Sequence, residues 1–184
     1  MSDRLDSLAA IDEAVWQQLV ACAADKAHPW RTPVLATLDG DRADARTVVL
    51  REVDARQKQL LIYTDERAGK VKQLLSHPHG TLVMWSPALA WQLRCRVRLS
   101  LEMSGLAASS RWARIRLSPG AQDYLSPLPP GTPLQAAPSA HPPVARDYFA
   151  VIDATIESID WLELHRDGHR RAIFDDQGAR WVQP

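Results

Sequence analysis

The sequence predicts a mainly β fold of the α+β class, with six or more strands forming a closed antiparallel barrel and a few short helices beside it. Three observations predict this. Trp91, Leu93, Cys95, Val97, Leu99, Leu101 and Met103 alternate with Gln92, Arg94, Arg96, Arg98, Ser100, Glu102 and Ser104, the period-two pattern of a strand with one buried face. Several more apolar runs follow one another through short polar connections, which suit antiparallel neighbours. Helical periodicity is confined to three stretches, too few to alternate with every strand as a parallel sheet requires.

In chain order, Ser7 to Lys26 (7–27 with its connecting residue) reads as a helix. Its face is Leu8, Ile11, Val15, Leu19 and Cys22, and His28-Pro29 ends it. Pro33 to Leu38 is a short strand closed by the turn signal Asp39-Gly40-Asp41. Ala45 to Val53 and Gln59 to Thr64 are the next two strands, joined by five polar residues. Arg67 to Ser76 is a short helix with Val71, Leu74 and Leu75 on one edge, stopped by Pro78. Gly80 to Trp85 is a buried strand, and the long alternating strand comes next. Ser109 to Leu117 is a second short helix. Ser118 to Val144 holds eight of the thirteen prolines, a density that neither helix nor sheet tolerates, and is read as a long loop. Tyr148 to Leu164 returns to strand character, with a slip in alternation near Glu157–Ile159 that predicts a bulge. Asp167-Gly168 is a hairpin turn, and His169 to Phe174 and Arg180 to Val182 are the last strands. No repeat or domain boundary interrupts 1–184, so a single domain is predicted.

Composition narrows the function. The 184 residues carry 22 Lys+Arg against 22 Asp+Glu, a formal net charge of zero, without the basic excess of a general nucleic-acid binder or a polybasic membrane anchor. No apolar run approaches the roughly 20 residues of a membrane helix, and the first residues are acidic where a secretory signal would be cationic. Cys22 and Cys95 are too few for a disulfide framework, so a cytoplasmic location is expected. Cys95 falls on the buried face of its strand and is not read as a nucleophile. His77-Pro78-His79 and His165 with His169 lack the companion ligands of a closed metal site, so no metal is expected.

Three segments carry the chemistry. Arg46-Thr47-Val48-Val49-Leu50-Arg51 is a strand with a cation at each end. Tyr63-Thr64-Asp65-Glu66-Arg67-Ala68-Gly69-Lys70 leads a strand into a helix N-terminus. Trp91-Gln92-Leu93-Arg94 opens the long strand. The first two suit a phosphate monoester, which takes about two cations together with neutral donors. Arg46 offers a planar fork, Lys70 a point charge, Thr64 a hydroxyl, and the helix end free amides. A solvated barrel face with scattered cations fits the same spacing.

These segments, in this order and at these intervals, resemble the pyridoxamine 5'-phosphate oxidase-related proteins, the FMN-binding split barrels. Trp161 followed ten residues later by Arg171 is similar to a fourth element of that family. The resemblance covers roughly residues 28–175. It implies a six- to eight-stranded antiparallel split barrel that binds FMN as a homodimer, with the cofactor at the subunit interface and a small molecule as substrate. It implies that Arg46 and Lys70 hold the FMN phosphate with Thr64, that Tyr63 belongs to the same element, and that Thr47, Val48, Val49 and Leu50 line the isoalloxazine. Arg51 would stand on the flavin and substrate side, Gln92 would reach the flavin edge from the second subunit, and Trp161 and Arg171 would close the site. Arg94, Arg96 and Arg98 are read as solvated or ion-paired.

The chain also departs from the authentic oxidase. Arg51 stands where the oxidase has lysine. Asp167-Gly168-His169-Arg170-Arg171 has an acid at the first arginine of the element that clamps the substrate phosphate, and an acid repels a phosphate. The oxidase's dimer-crossing Gln-Ser pair has no evident counterpart. Arg111, Trp112 and Arg116 could frame another substrate pocket or lie on a surface helix. The expected activity is FMN-dependent oxidoreduction of a small molecule. The alternatives are a flavin-binding module without turnover, the vitamer oxidase itself, or a cofactor-free β-barrel interaction protein.

Overall fold

The computed structural model describes residues 4–133 and 147–184. Its core is one mostly antiparallel sheet of nine strands: β1 (Val34–Asp39), β2 (Arg42–Thr47), β3 (Leu50–Asp54), β4 (Gln59–Asp65), β5 (His79–Ser86), β6 (Trp91–Glu102), β7 (Phe149–Glu163), β8 (Arg170–Asp175) and β9 (Gly178–Val182). The order is β2-β1-β5-β6-β7-β4-β3, with β8 and β9 branching from β7. Among the described residues no pairing joins β2 to β3, so the sheet is not closed: the fold is the split barrel that the resemblance implies, with nine strands rather than six to eight, and not the closed barrel that the strand pattern alone suggests.

The split begins in one place. The run expected as a single strand, Ala45 to Val53, is two strands. Thr47 ends β2 opposite Val34, and Leu50 begins β3 opposite Ile62. Val48 and Val49 leave the ladder between them, and the Val48 amide donates to the Pro33 carbonyl at 2.9 Å. An unbroken β-branched run hides this corner, because local propensity does not say which partner a residue pairs with.

β7 carries the other division. β6 covers one edge of it from Val151 to Glu163, while its second edge pairs with β4 over Phe149–Thr155 and with β8 over Ile159–Glu163. Between them, Arg96 faces Ser158 and Val97 faces Ile156, so Glu157 is the extra residue of a bulge, inside the predicted slip. β6 alternates as expected up to Leu99: Trp91, Leu93, Cys95, Val97 and Leu99 are buried, and Arg94, Arg96 and Arg98 are exposed, whereas Leu101 is half-buried and Met103, past the end of the strand, is exposed.

Helix α1 (Leu8–Ala24) buries Ile11, Val15, Leu19 and Cys22, and the Ser7 hydroxyl caps it at the Ala10 amide, 3.2 Å. It stops before Lys26 because Asp25 turns extended and its carboxylate takes the Ala27 amide at 2.8 Å. α2 (Gly69–Ser76) starts two residues later than expected, since the Asp65 carboxylate holds the Arg67 amide in a turn at 2.7 Å. α3 (Leu106–Ile115) begins right after Gly105, whose φ of 94° marks the end of β6. The main core lies between α1 and the sheet. A second cluster of Leu61, Tyr124, Phe149 and Val151 is covered by Trp112 and Ile115 of α3 and by the 3₁₀ turn Pro119–Tyr124. The residues of the proline-rich stretch from 134 to 144 lie outside the described part. Among the described residues, no helix is long and apolar enough to cross a membrane.

Candidate functional site

A cleft of about 260 Å³ opens where β2 gives way to β3 and β4 runs into α2. Thr47, Val48, Val49, Arg51, Tyr63, Thr64 and Lys70 line it, bringing seven of the sequence-predicted residues to one place. Leu50 is fully buried behind them in the core. Three residues that sequence reasoning did not single out, Asp123, Tyr124 and Pro130, form the far wall, so the start of the proline-rich stretch folds over the cleft.

The cations are placed differently from one another. Lys70 stands in the first turn of α2, which has no side-chain cap, so its first amides keep their donors free of one. Burial lowers the proton affinity of Lys70, and the Arg46 charge lowers it further, while Asp65 opposes both. Arg46 and Lys70 therefore sense one another. The Arg46 guanidinium is nevertheless occupied: it donates to the Leu35 carbonyl at 3.2 Å, the Thr37 hydroxyl at 2.6 Å and the Gln73 side-chain oxygen at 2.7 Å, and it pairs with Asp44. Arg51 lies 5.8 Å from the centroid of the Tyr63 ring. Tyr63 donates to Glu52 at 2.5 Å, and burial together with that carboxylate pushes its phenol well above the ordinary range. Thr64 is buried, and its hydroxyl donates to the Asp65 carbonyl at 3.3 Å.

Arg67 builds the wall. Its guanidinium pairs with Asp65 through two bonds of 3.0 and 2.7 Å, donates to the Ser126 carbonyl at 2.9 Å, and stacks 3.3 Å from the Tyr148 ring centroid. One side chain thus ties the end of β4, the wall segment and the approach to β7 together. Asp65 is local, but the sequence does not announce the other two partners, which lie about sixty and eighty residues away in the chain.

Gln92, Trp161 and Arg171 do not line this cleft. Gln92 is half-buried between Trp85 of β5 and Leu162 of β7. Arg171 is held by Asp160 through bonds of 2.9 and 2.7 Å, and Arg94 pairs with the same carboxylate. Burial pushes Asp160 up, but the two arginines outweigh it and hold it below the usual carboxylate range. Trp161, expected to close the site around a ring, is a core residue at 0% exposure, edge-on to Trp91 at 5.4 Å. Its place on the inward phase of β7 puts it there.

Other side chains singled out in the sequence have partners of their own. Arg111 and Arg114 both pair with Glu52, and Trp112 packs on Phe149 at 5.5 Å, so α3 is a surface helix pinned to the sheet. Arg98 pairs with Glu157 at 3.2 Å. Burial pushes the Cys95 thiol up to about 12 and the Cys22 thiol up to about 11, which suits inert core residues. Among the described residues there is no cluster of three or more potential metal ligands.

An open antiparallel sheet that splits beside a cationic strand-to-helix cleft defines a split-barrel protein. Residues 13–101 match the family model of the pyridoxamine 5'-phosphate oxidase FMN-binding domain. A pyridoxamine 5'-phosphate oxidase-related, FMN-binding protein from Nostoc punctiforme PCC 73102 shares the fold with a TM-score of 0.73 and 22% identity, covering 94% of this chain and 96% of that one. PhzG from Burkholderia lata 383, solved with tetrahydrophenazine-1-carboxylic acid, superposes with a TM-score of 0.78 at 13% identity, covering 100% and 99%. General Stress Protein 26 from Bacillus anthracis gives 0.54 at 14% identity, covering 80% and 92%. At these identities the likeness is one of fold. No curated protein matches the chain by sequence.

Proposed function

We propose that this protein binds FMN in the β2–β3 cleft and acts as an FMN-dependent oxidoreductase on a small organic molecule, as a homodimer. The supporting observation is the convergence of Lys70, Thr64, Arg51 and the Thr47–Val49 corner at the uncapped start of α2, inside the segment that matches the FMN-binding family. The donor set fits the cofactor's tail. A half-buried ammonium, a helix N-terminus and a neighbouring guanidinium are the groups that hold a phosphate. The corner residues offer apolar walls and backbone groups outside the ladder to a planar ring.

The cleft is small beside the roughly 300–1,000 Å³ of typical small-molecule sites. A phosphate and its sugar chain fit it more easily than three fused rings do. A second copy supplying Gln92 and Arg171 would enclose the ring, with Trp161 backing their strands from the core. FMN when bound supplies the hydride or electron transfer, and the protein binds, orients and excludes water. On the substrate side, the exposed acid Asp167 stands where the vitamer oxidase has an arginine, a replacement that disfavours a phosphorylated vitamer.

The absorption spectrum of the purified protein, with mass identification of whatever is released on denaturation, tests the cofactor. Lys70→Ala should weaken FMN binding by about 10- to 100-fold, the range for losing a charged hydrogen-bond partner. Stoichiometric FMN in that variant would show the site to be misplaced. Anaerobic mixing with candidate reductants then separates turnover from passive flavin binding: bleaching at a catalytic rate is the expected result.

A further inference from the structure

The most unusual feature beside the cleft is how fully Arg46 is spent on its own protein. Both hydrogens of one terminal nitrogen go to the Leu35 carbonyl and the Thr37 hydroxyl, and both of the other go to Asp44 and Gln73. Only the Nε hydrogen has no hydrogen bond among the described residues. Thr37 and Gln73 are themselves buried and bonded to each other at 2.6 Å, so they are fixed parts of the fold. Asp44 is not. Its side chain is 48% exposed, it sits on the edge strand β2, and one of its oxygens takes both the Arg46 pair and the Gln73 amide at 2.8 Å. Hydrogen bonds from Gln73 and then Arg46 hold it below the usual carboxylate range, so it is an anion at neutral pH.

The charge count makes this matter. A phosphate monoester brings close to two negative charges near neutral pH. Asp65 already neutralises Arg67 and Asp44 neutralises Arg46, which leaves Lys70 and Arg51 as the cleft-lining cations with no carboxylate paired to them among the described residues, against the one further lining anion Asp123. Arg46 can complete a phosphate clamp only if its present carboxylate partner gives way. Thr37 and Gln73 would keep the guanidinium in place while it does.

We propose that Asp44 is a resident counter-anion of Arg46, which occupies the guanidinium edge in the empty protein and is displaced by the phosphate of FMN. This rests on the FMN reading above and deepens it. Asp44 would thereby set how tightly the cofactor is held, trading affinity for a cleft that is not left with an uncompensated cluster of cations. As Asp44 is half exposed on an edge strand, its replacement leaves the core intact.

The test is FMN and riboflavin titration of the full chain, stripped of flavin, in the wild type, Asp44→Asn, Asp44→Ser, Arg46→Gln and the Asp44→Asn/Arg46→Gln double variant. The expected result is that both Asp44 variants bind FMN about three- to tenfold more tightly, the scale of one partly exposed ion pair. Riboflavin, which has no phosphate, should bind them as it binds the wild type. The gain should vanish when Arg46 is glutamine, because only a cycle separates a pairwise effect from a general change of charge. Weaker or unchanged FMN binding in the Asp44 variants would make Asp44 a positioning residue and overturn the proposal. So would a gain that persists in full without Arg46. A wild type that binds neither flavin would instead bring down the FMN reading itself.

Discussion

Glu163 is the most consequential single side chain outside the cleft. It is almost fully buried, and Arg170 grips both its oxygens at 2.9 and 3.0 Å while Arg4 adds bonds of 2.9 and 2.6 Å. Burial alone would raise its pKa, but the two guanidinium partners win and depress it. The sign of the linkage follows. A depressed folded pKa contributes stability that is present above the ordinary carboxyl range and is lost as the pH falls through the folded value. Urea unfolding from pH 7 down to pH 3 should therefore show falling stability at the acid end, and Glu163→Gln should flatten that limb. At neutral pH, Arg170→Ala should cost roughly 3 kcal/mol, because it removes half the compensation of a buried charge and the guanidinium that lies over Trp161 and Trp181. At this scale the sequence was partly legible. Lys70 and Thr64 were found from their place at a strand-to-helix junction. The occupation of Arg46 was not, because Thr37 and Gln73 reach it from β1 and α2, which only the fold brings beside β2. Asp44 did leave a trace, since a residue two positions away on a strand shares its face.

Among the elements, β5 depends on a glycine for a reason unrelated to turns. A Cβ on Gly80 would lie 2.9 Å from the Ala36 carbonyl oxygen and 3.0 Å from a Leu99 methyl. Gly80→Ala should destabilise the protein by about 1–3 kcal/mol, read from the shift of the denaturant midpoint, since backbone oxygen cannot step aside as a side chain can. The wall segment depends on Arg67. Arg67→Ala removes the bonds to Asp65 and Ser126 and the stacking on Tyr148. Limited proteolysis with mass mapping should then show faster cleavage within 118–133 than in the wild type, with the strands still protected. The strands themselves were read well wherever alternation or a turn marked them, β6 above all. The corner at Val48-Val49 was missed because valine suits either side of a break, and the break is made by a hydrogen bond to Pro33.

For the whole molecule, the candidate residues fall into two groups on one chain: the cleft between β2 and α2, and the Gln92–Arg171 region on β6 to β8. If two copies bring these together, flavin retention and dimerisation are coupled. Dilution followed by gel filtration should release FMN as the dimer dissociates, and Gln92→Ala should loosen the flavin without changing the monomer's thermal stability. A dimer that keeps its flavin unaltered by Gln92→Ala would exclude that residue from the site. Sequence motifs marked both groups, because the members of each fall within short motif segments. They could not show that the groups stand apart on the same subunit, since that distance is set by the order of strands across the sheet.

The single extra residue in β7 has an effect on parity. Before Glu157 the inward side chains are even-numbered, Ile152, Ala154 and Ile156; after it they are odd-numbered, Ile159, Trp161 and Glu163. One added position lets the strand swing from the β4 neighbourhood to the β8 neighbourhood while the same side stays dry. Trimming Glu157 would leave every inward group facing inward and would straighten the strand, so the divergence of the sheet into two wings hangs on one exposed glutamate that no core contact requires.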